Sequence, residues 1–478
     1  MTTPHETSHA SYLRPLEWAV SALLGAAIGW GLTFILPAAY SDGHPDIAWW
    51  MAIPFGLLLA CIAVLPFAAG PFWHKHYPDV SLLLGSMVAA YYLAGFTQSA
   101  PGHAVSYGAQ KVLHSAEEFY SFIALVGGLY VVSGGILVEV RGRGTPLANT
   151  ILLAVGAVIA NIVGTTGASM LLIRPFMRLN QGRLTPLHIV FFIFIVSNCG
   201  GCLTPIGDPP LYLGFLKGVP FDWTLRNLWY DWAFTVGALL IVFYFVDRRL
   251  GPANTDAGEQ PRNSGVCIRG TVGLVCLGLM LVGVFIPPML KAWAHMDGLA
   301  IGATFQLVIA AASFKLAPKE ILKGNDFTFG PVKEVGLLFA GIFLTMIPAL
   351  GYLASHSASL GINSSMGYYF GTGSLSAVLD NAPTYLSFLQ VAFGPGEIDA
   401  AGMSQFLSTS GGVHTLNAIS TGAVFFGAMT YIGNGPNFMV KAIAEGAGVR
   451  MPGFFGYLAR ACLILLPILV VHALIFIR

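Results

Sequence analysis

The chain has 478 residues, 55% of them hydrophobic and 9% charged, against roughly 25% charged in a soluble domain. That excludes a soluble globular domain, and a net charge of +1 leaves no electrostatic footprint for nucleic acid. What remains is an all-α polytopic membrane protein, whose 57 glycines and 28 prolines suit close helix packing and broken helices.

The first 14 residues are polar, and the apolar stretch after Pro15 is long enough to stay as a helix and not be cleaved as a signal. Spanning segments follow at about 15–37, 49–70, 79–98, 119–140, 185–216, 226–247, 270–290, 297–316, 334–355, 413–446 and 454–477. Two more apolar stretches, 147–174 and 366–394, contain Asn-bearing interruptions. The basic residues decide whether these two cross. Treated as re-entrant hairpins with a cytoplasmic N-terminus, they leave Arg174, Arg178, Arg183, Arg248, Arg249, Arg262, Arg269, Lys315, Lys319, Lys323 and Lys333 inside. Only Lys217, Arg226 and Lys291 then lie outside. Two crossings would invert that block. The expected fold is therefore eleven transmembrane helices plus two re-entrant hairpins, N-terminus in and C-terminus out. Residues 1–48 form an N-terminal segment with the first helix, 49–247 repeat 1, 248–269 a flexible cytoplasmic linker and 270–478 repeat 2, the repeats having inverted topology.

The same phrase marks both repeats. Thr204-Pro-Ile-Gly-Asp-Pro-Pro210 returns as Thr430-Tyr-Ile-Gly-Asn-Gly-Pro436, and Asn161-Ile-Val-Gly-Thr-Thr166 is matched by Asp380-Asn-Ala-Pro-Thr384. Aligning the asparagines pairs Asn161 with Asn381 and Ala160 with Asp380; aligning the phrases pairs Asp208 with Asn434. Prolines remove backbone donors, and the residue before each is pushed out of the helical region. The helices must open at these points, with Asn198, Thr204, Gly207 and Asp208 in the first and Thr430, Gly433 and Asn434 in the second facing a cavity.

Freed carbonyls beside Asn, Thr and Asp oxygens suit a small hard cation such as sodium, whereas helix N-termini at the same breaks suit an anion. Asp208 and Asp380 arbitrate. An ionised carboxylate at mid-membrane is costly and marks an ion or proton path; the bland alternative is a half-helix cap. Asn161, Asn381 and Asn434 are the expected oxygen ligands, with Thr204. Thr165, Thr166, Thr384 and Thr430 are weaker candidates, since a membrane Thr commonly bonds its own backbone. Cys199-Gly-Gly-Cys202 has a metal or redox spacing but no second pair, and reads as small-residue packing. His188 and His472 read as polar contacts between helices or as proton relays, and Lys441 should pair with Glu445 one turn away.

At these motifs the chain resembles the ion transporter superfamily, which includes divalent-anion:sodium symporters, NhaD-type sodium/proton antiporters, arsenite carriers and a citrate-transport (CitMHS-like) branch. The resemblance runs from about residue 50 to the end. It implies two inverted repeats, each with a re-entrant hairpin and a broken helix, and a homodimer with an elevator motion. Thr204-Pro-Ile-Gly-Asp208 and Asp380-Asn-Ala-Pro383 are similar to the antiporter motifs, although Ala160 stands where antiporters carry an Asp. Asn161–Arg174 and Ser197–Gly218 are closer in wording to the citrate branch. Dicarboxylate carriers place Ser-Asn-Thr at each hairpin tip; here both Asn remain and the hydroxyls are gone.

The favoured expectation is a sodium/proton antiporter in which Asp208 and Asp380 alternately hold cation and proton, because an ionised Asp repels a carboxylate that a hydroxyl would bind. The alternative is a sodium-coupled citrate or dicarboxylate symporter using helix N-termini, Thr165, Thr166 and Thr384; arsenite or another anion is more remote. An enzyme is not expected. The order Asp380 after Gly207-Asp208 does not fit membrane aspartyl proteases, and no nucleotide loop or metalloprotease motif is present. No cofactor or metal beyond sodium is expected. The expected partners are the bilayer, a small ion or carboxylate and a second copy of the chain, in a bacterial plasma membrane.

Overall fold

The computed structural model describes residues 4–41, 44–99, 105–251, 265–294, 296 and 298–477. The chain is an all-α polytopic membrane protein. In order, its helices are α1 (Pro4–Ile35), α2 (Ile53–Ala68), α3 (Gly70–Gly95), α4 (Tyr107–Gly134), α5 (Pro146–Leu179), α6 (Pro186–Ile195), α7 (Pro209–Leu216), α8 (Trp223–Arg249) and α9 (Thr271–Ala294). They continue with α10 (Leu299–Leu316), α11 (Lys319–Gly324), α12 (Gly330–His356), α13 (Ser365–Ser376), α14 (Asn381–Phe393), α15 (Ala400–Leu407), α16 (Ser410–Phe426), α17 (Gly435–Gly446) and α18 (Phe454–Phe476). Among the described residues, ten helical stretches are long and apolar enough to cross a bilayer. Leucines, phenylalanines and isoleucines stand exposed along them, as at Leu23, Phe34, Ile241 and Leu463, the surface that a lipid solvent favours.

Eleven crossings were expected. The 413–446 stretch divides into α16 and α17, which have 17 and 12 residues, and α3 carries His74, Lys75, His76 and Asp79 inside the helix. The 147–174 stretch, expected as a hairpin outside the eleven, lies within α5, which bends where Gly164 takes φ +77° and is itself one of the ten. The 366–394 stretch is two helices of 12 and 13 residues, each about 20 Å long. The expected linker is structured at both ends: α8 continues through Arg249, and Gly265–Arg269 pairs antiparallel with Leu137–Arg141. Its remainder, 252–264, lies outside the described residues.

Two compact units emerge. One comprises Met1–Tyr120, Gly330–Ser357 and Gly394–Gly396. Within it α1 meets α3 through Gly25 and Gly29, where a Cβ would lie 2.1 Å from the Leu83 carbonyl oxygen and 2.0 Å from that of Met87. This is the small-x-x-x-small approach of membrane helices. Ser81 ties α3 to α12 by donating to the Leu337 carbonyl at 2.7 Å. The other unit comprises Ser121–Phe329, Ala358–Phe393 and Glu397–Arg478 and holds every residue of the two breaks. Its central span, Pro186–Leu203, is 83% buried, against 11% for Pro15–Ile35 in the first unit.

Candidate functional site

The two breaks share one construction. After α6 the chain makes a 3-10 turn at Cys199–Leu203, extends at Thr204, and restarts as α7 with Asp208 at the N-cap (φ −142°, ψ 143°). After α16 it makes a 3-10 turn at Gly427–Met429, extends at Thr430, and restarts as α17 with Asn434 at the N-cap (φ −155°, ψ 140°). Prolines occupy the first turn of both new helices, where a missing N–H costs nothing. Each break folds back on itself through a pair of glycines. A Cβ on Gly207 would lie 2.1 Å from the Gly201 carbonyl oxygen, and one on Gly433 would lie 2.6 Å from that of Gly427.

Each break is tied to a helical bend by the same two bonds. The Thr204 hydroxyl donates to the Asn161 carbonyl at 2.6 Å, and the Thr430 hydroxyl to the Ala377 carbonyl at 2.6 Å. The Thr165 N–H donates to Gly207, and the Asn381 N–H to Gly433, at 2.8 and 3.2 Å. These equivalences correct the alignment drawn from the asparagines. The structural counterpart of Asn161 is Ala377 (377 − 161 = 216), that of Gly164 is Asp380, and that of Thr165 is Asn381, all at the same offset. The two asparagines therefore do different work.

Asp208, 1% exposed, is the centre. Its side chain does not cap α7. One carboxylate oxygen accepts from the Thr165 hydroxyl at 2.8 Å and from the Asn434 amide at 2.8 Å; the other accepts from the Asn381 amide at 2.6 Å. Three neutral donors, two of them from the second half of the chain, thus hold one buried carboxylate. Asp380 is half-buried. It accepts the Ala382 N–H at 3.1 Å at the start of α14.

Asn161 bonds backbone at both ends: its amide donates to the Ala157 and Gly200 carbonyls, and its oxygen accepts the Leu203 N–H. The structure thus makes Asn161 a brace between α5 and the first break. Thr204 and Thr430 are occupied as described, and Thr384 bonds its own helix at the Asp380 carbonyl. Asn198 donates to Ile193 and to the Asn437 side chain. The side-chain oxygens of Asn198 and Asn381 are buried without a hydrogen-bond partner, and both amides flank Gly427, whose Cβ would lie 3.3 Å from each. Cys199 and Cys202 are free thiols at 0% exposure, packed as small residues, and Lys441 meets Glu445 at 3.5 Å.

Beside Asp208 lies a cavity of about 20 Å³, lined by Thr165, Thr166, Gly207, Asp208, Leu129 and Tyr212 among others. That is the space of one water molecule. A wider cleft of about 770 Å³ is lined by Arg174, Arg178 and Arg450 with a single acidic residue, Asp326.

Sequence reasoning missed several participants. Asn437 donates to the Gly427 and Thr430 carbonyls and holds Asn198; its signal was an Asn one turn past Asn434. Asp231 and Asp247, both buried on α8, pair with His472 and His188; acidic residues inside an apolar span were the signal.

A multi-pass helical protein in which two proline-broken helices converge on a buried carboxylate has the architecture of a membrane transporter. Residues 44–477 match the family described as "Putative citrate transport", and the chain belongs to that family. It is similar to an uncharacterized transporter of Mycobacterium bovis, with 25% identity over 332 residues covering 64% of this chain and 72% of the relative. An uncharacterized transporter of Mycobacterium tuberculosis matches with the same identity and coverage.

Proposed function

We propose that this transporter exchanges sodium for protons at Asp208. The observation that carries the reading is the cavity of about 20 Å³ against the Asp208 carboxylate, which has room for a water-sized particle and none for a polycarboxylate. A dehydrated sodium ion needs oxygen ligands. The carboxylate supplies charge and Thr165, which lines the same cavity, a neutral oxygen; the buried, unpartnered oxygens of Asn381 and Asn198 are the further neutral ligands in this reading. The two halves are read as inverted repeats with re-entrant hairpins, alternating access as a homodimer in a bacterial plasma membrane.

The test is flux. In proteoliposomes an imposed sodium gradient should drive a pH change, and Asp208→Asn should abolish it. Wild-type exchange in that variant would remove Asp208 from the role.

Sodium-coupled citrate or dicarboxylate symport is the second reading. It is favoured by the family match and by the cleft lined by Arg174, Arg178 and Arg450, whose volume falls in the range of small-molecule sites. Asp208 then remains a cation site. Radiolabelled citrate uptake under a sodium gradient separates the two, since antiport alone moves no citrate.

A further inference from the structure

Two buried aspartates of α8 each pair with a histidine, His188 of α6 and His472 of α18, and the second nitrogens of the two rings have different partners. His188, 0% exposed, contacts Asp247 through Nε2 at 2.9 Å. Its Nδ1 accepts the backbone N–H of Thr185 at 3.1 Å and also meets the Thr185 hydroxyl at 2.9 Å. A backbone N–H cannot turn away, so Nδ1 must keep its lone pair and Nε2 must carry the proton. Arg183 and Asn149 also bond Asp247, which compensates its charge without help from the imidazole.

His472, also 0% exposed, contacts Asp231 through Nε2 at 2.8 Å. Its Nδ1 meets the Tyr369 hydroxyl at 3.0 Å, and that hydroxyl also lies 3.2 Å from the Leu469 carbonyl oxygen. A hydroxyl has one proton and can rotate it. With His472 neutral, Tyr369 donates to Nδ1. With His472 protonated, Nδ1–H donates to the Tyr369 oxygen and the hydroxyl proton turns to Leu469. Every polar group is satisfied in both states without moving the backbone. The other oxygen of Asp231 accepts from Asn417 at 3.2 Å, and among the described residues His472 is its ion-pair partner.

We propose that His472, with Asp231 and Tyr369, is a second proton-binding site of the transporter, separate from Asp208. The site takes one proton from the aqueous phase onto Nδ1, turning the pair from net negative to neutral, and returns it when the hydroxyl swings back. The titratable groups facing it are Asp231 from α8, Tyr369 from α13, and Cys199 and Cys202 from the first break. The rest of the shell is aromatic, with Phe234, Phe425 and Phe476 against the imidazole. An ionisable group buried at membrane depth is a functional candidate by default, and the two-way hydroxyl distinguishes this pair from a packing contact. The inference rests on the proton exchange proposed above, whereas its NMR readout does not depend on which ion Asp208 takes.

Nitrogen-15 histidine NMR on the full-length protein in lipid nanodiscs tests it. Lowering the pH should convert the His472 signal from a neutral to a doubly protonated imidazole, while His188 stays in its Nε2–H form. The His472 signal is identified by its loss in His472→Gln or, if that variant does not fold, by its displacement in Tyr369→Phe. A His472 signal that never changes form, or a His188 signal that changes alongside it, overturns the proposal. In flux assays Tyr369→Phe should lower proton-coupled transport at least tenfold while thermal stabilisation by sodium is kept. Unchanged proton coupling in that variant would equally overturn it. Loss of exchange in Asp208→Asn is independent of all these outcomes.

Discussion

Asp208 and Asn434 occupy the same backbone position in two separate helix breaks, and the amide of Asn434 donates to the carboxylate of Asp208 at 2.8 Å. The contact is asymmetric only in chemistry: one side accepts and the other donates. In Asp208→Asn one of the two acceptor oxygens becomes an amide nitrogen, so that at least one of the three donors faces another donor, which should cost roughly 1–3 kcal/mol. Adding Asn434→Asp restores one donor and one acceptor, although the new carboxylate faces the Ser197 carbonyl that Asn434 now serves. The double variant should therefore melt above the single Asp208→Asn and below wild type in a detergent thermal-shift assay. A double variant no better than the single would show that the two positions are not interchangeable.

Gly207 and Gly433 should tolerate no side chain. Their Cβ atoms would meet backbone carbonyl oxygens at 2.1 and 2.6 Å, so Gly207→Ala and Gly433→Ala must shift the break itself, at a cost of about 1–3 kcal/mol or more. Gly435, next to Asn434, has nothing within 4 Å, and Gly435→Ala should be close to neutral. Melting temperatures of the three purified variants check this.

Thr204 and Thr430 each hold a helical bend by one hydroxyl bond of 2.6 Å to a backbone carbonyl. Thr204→Val and Thr430→Val keep shape and remove that bond. Each should lower stability by a similar amount, about 1 kcal/mol, and the two losses should add, since the bonds are separate. A much larger loss at one position would break the equivalence of the breaks. Thermal melts of the single and double variants give the answer.

Asn161 and Asn381 should behave differently despite their similar sequence setting. Asn161 donates to two carbonyls. Asn161→Asp would face them with negative charge and should appear as poor folding and low yield. Asn381 has one amide bond to Asp208 and an unpartnered oxygen. Asn381→Ala should fold and lose sodium-dependent thermal stabilisation. Retained stabilisation would exclude Asn381 from the cation site.

Much of the architecture was legible in the residues. Proline pairs, glycines and polar side chains within apolar runs located both breaks, because a missing N–H and a forbidden α conformation are local facts. The i,i+4 pair Lys441–Glu445 was equally local. The hairpin alignment was not. Matching asparagines is a statement about letters, whereas the real register depends on which carbonyl each break meets, and that placed Thr165 opposite Asn381. Asp231 and Asp247 went unread because the meaning of an acidic residue in a span depends on a partner hundreds or tens of positions away.

The sequence by itself determined that the chain is a multi-pass helical membrane protein and that its helices open at Thr204–Pro210 and Thr430–Pro436, since hydropathy and backbone chemistry act over a few neighbouring residues. Only the tertiary structure decided that Asp208 gathers Thr165, Asn381 and Asn434 while Asp380 stays at the start of its own helix. Hydrogen bonds in a buried site are fixed by distances of about 3 Å, and those distances are set by how the helices pack.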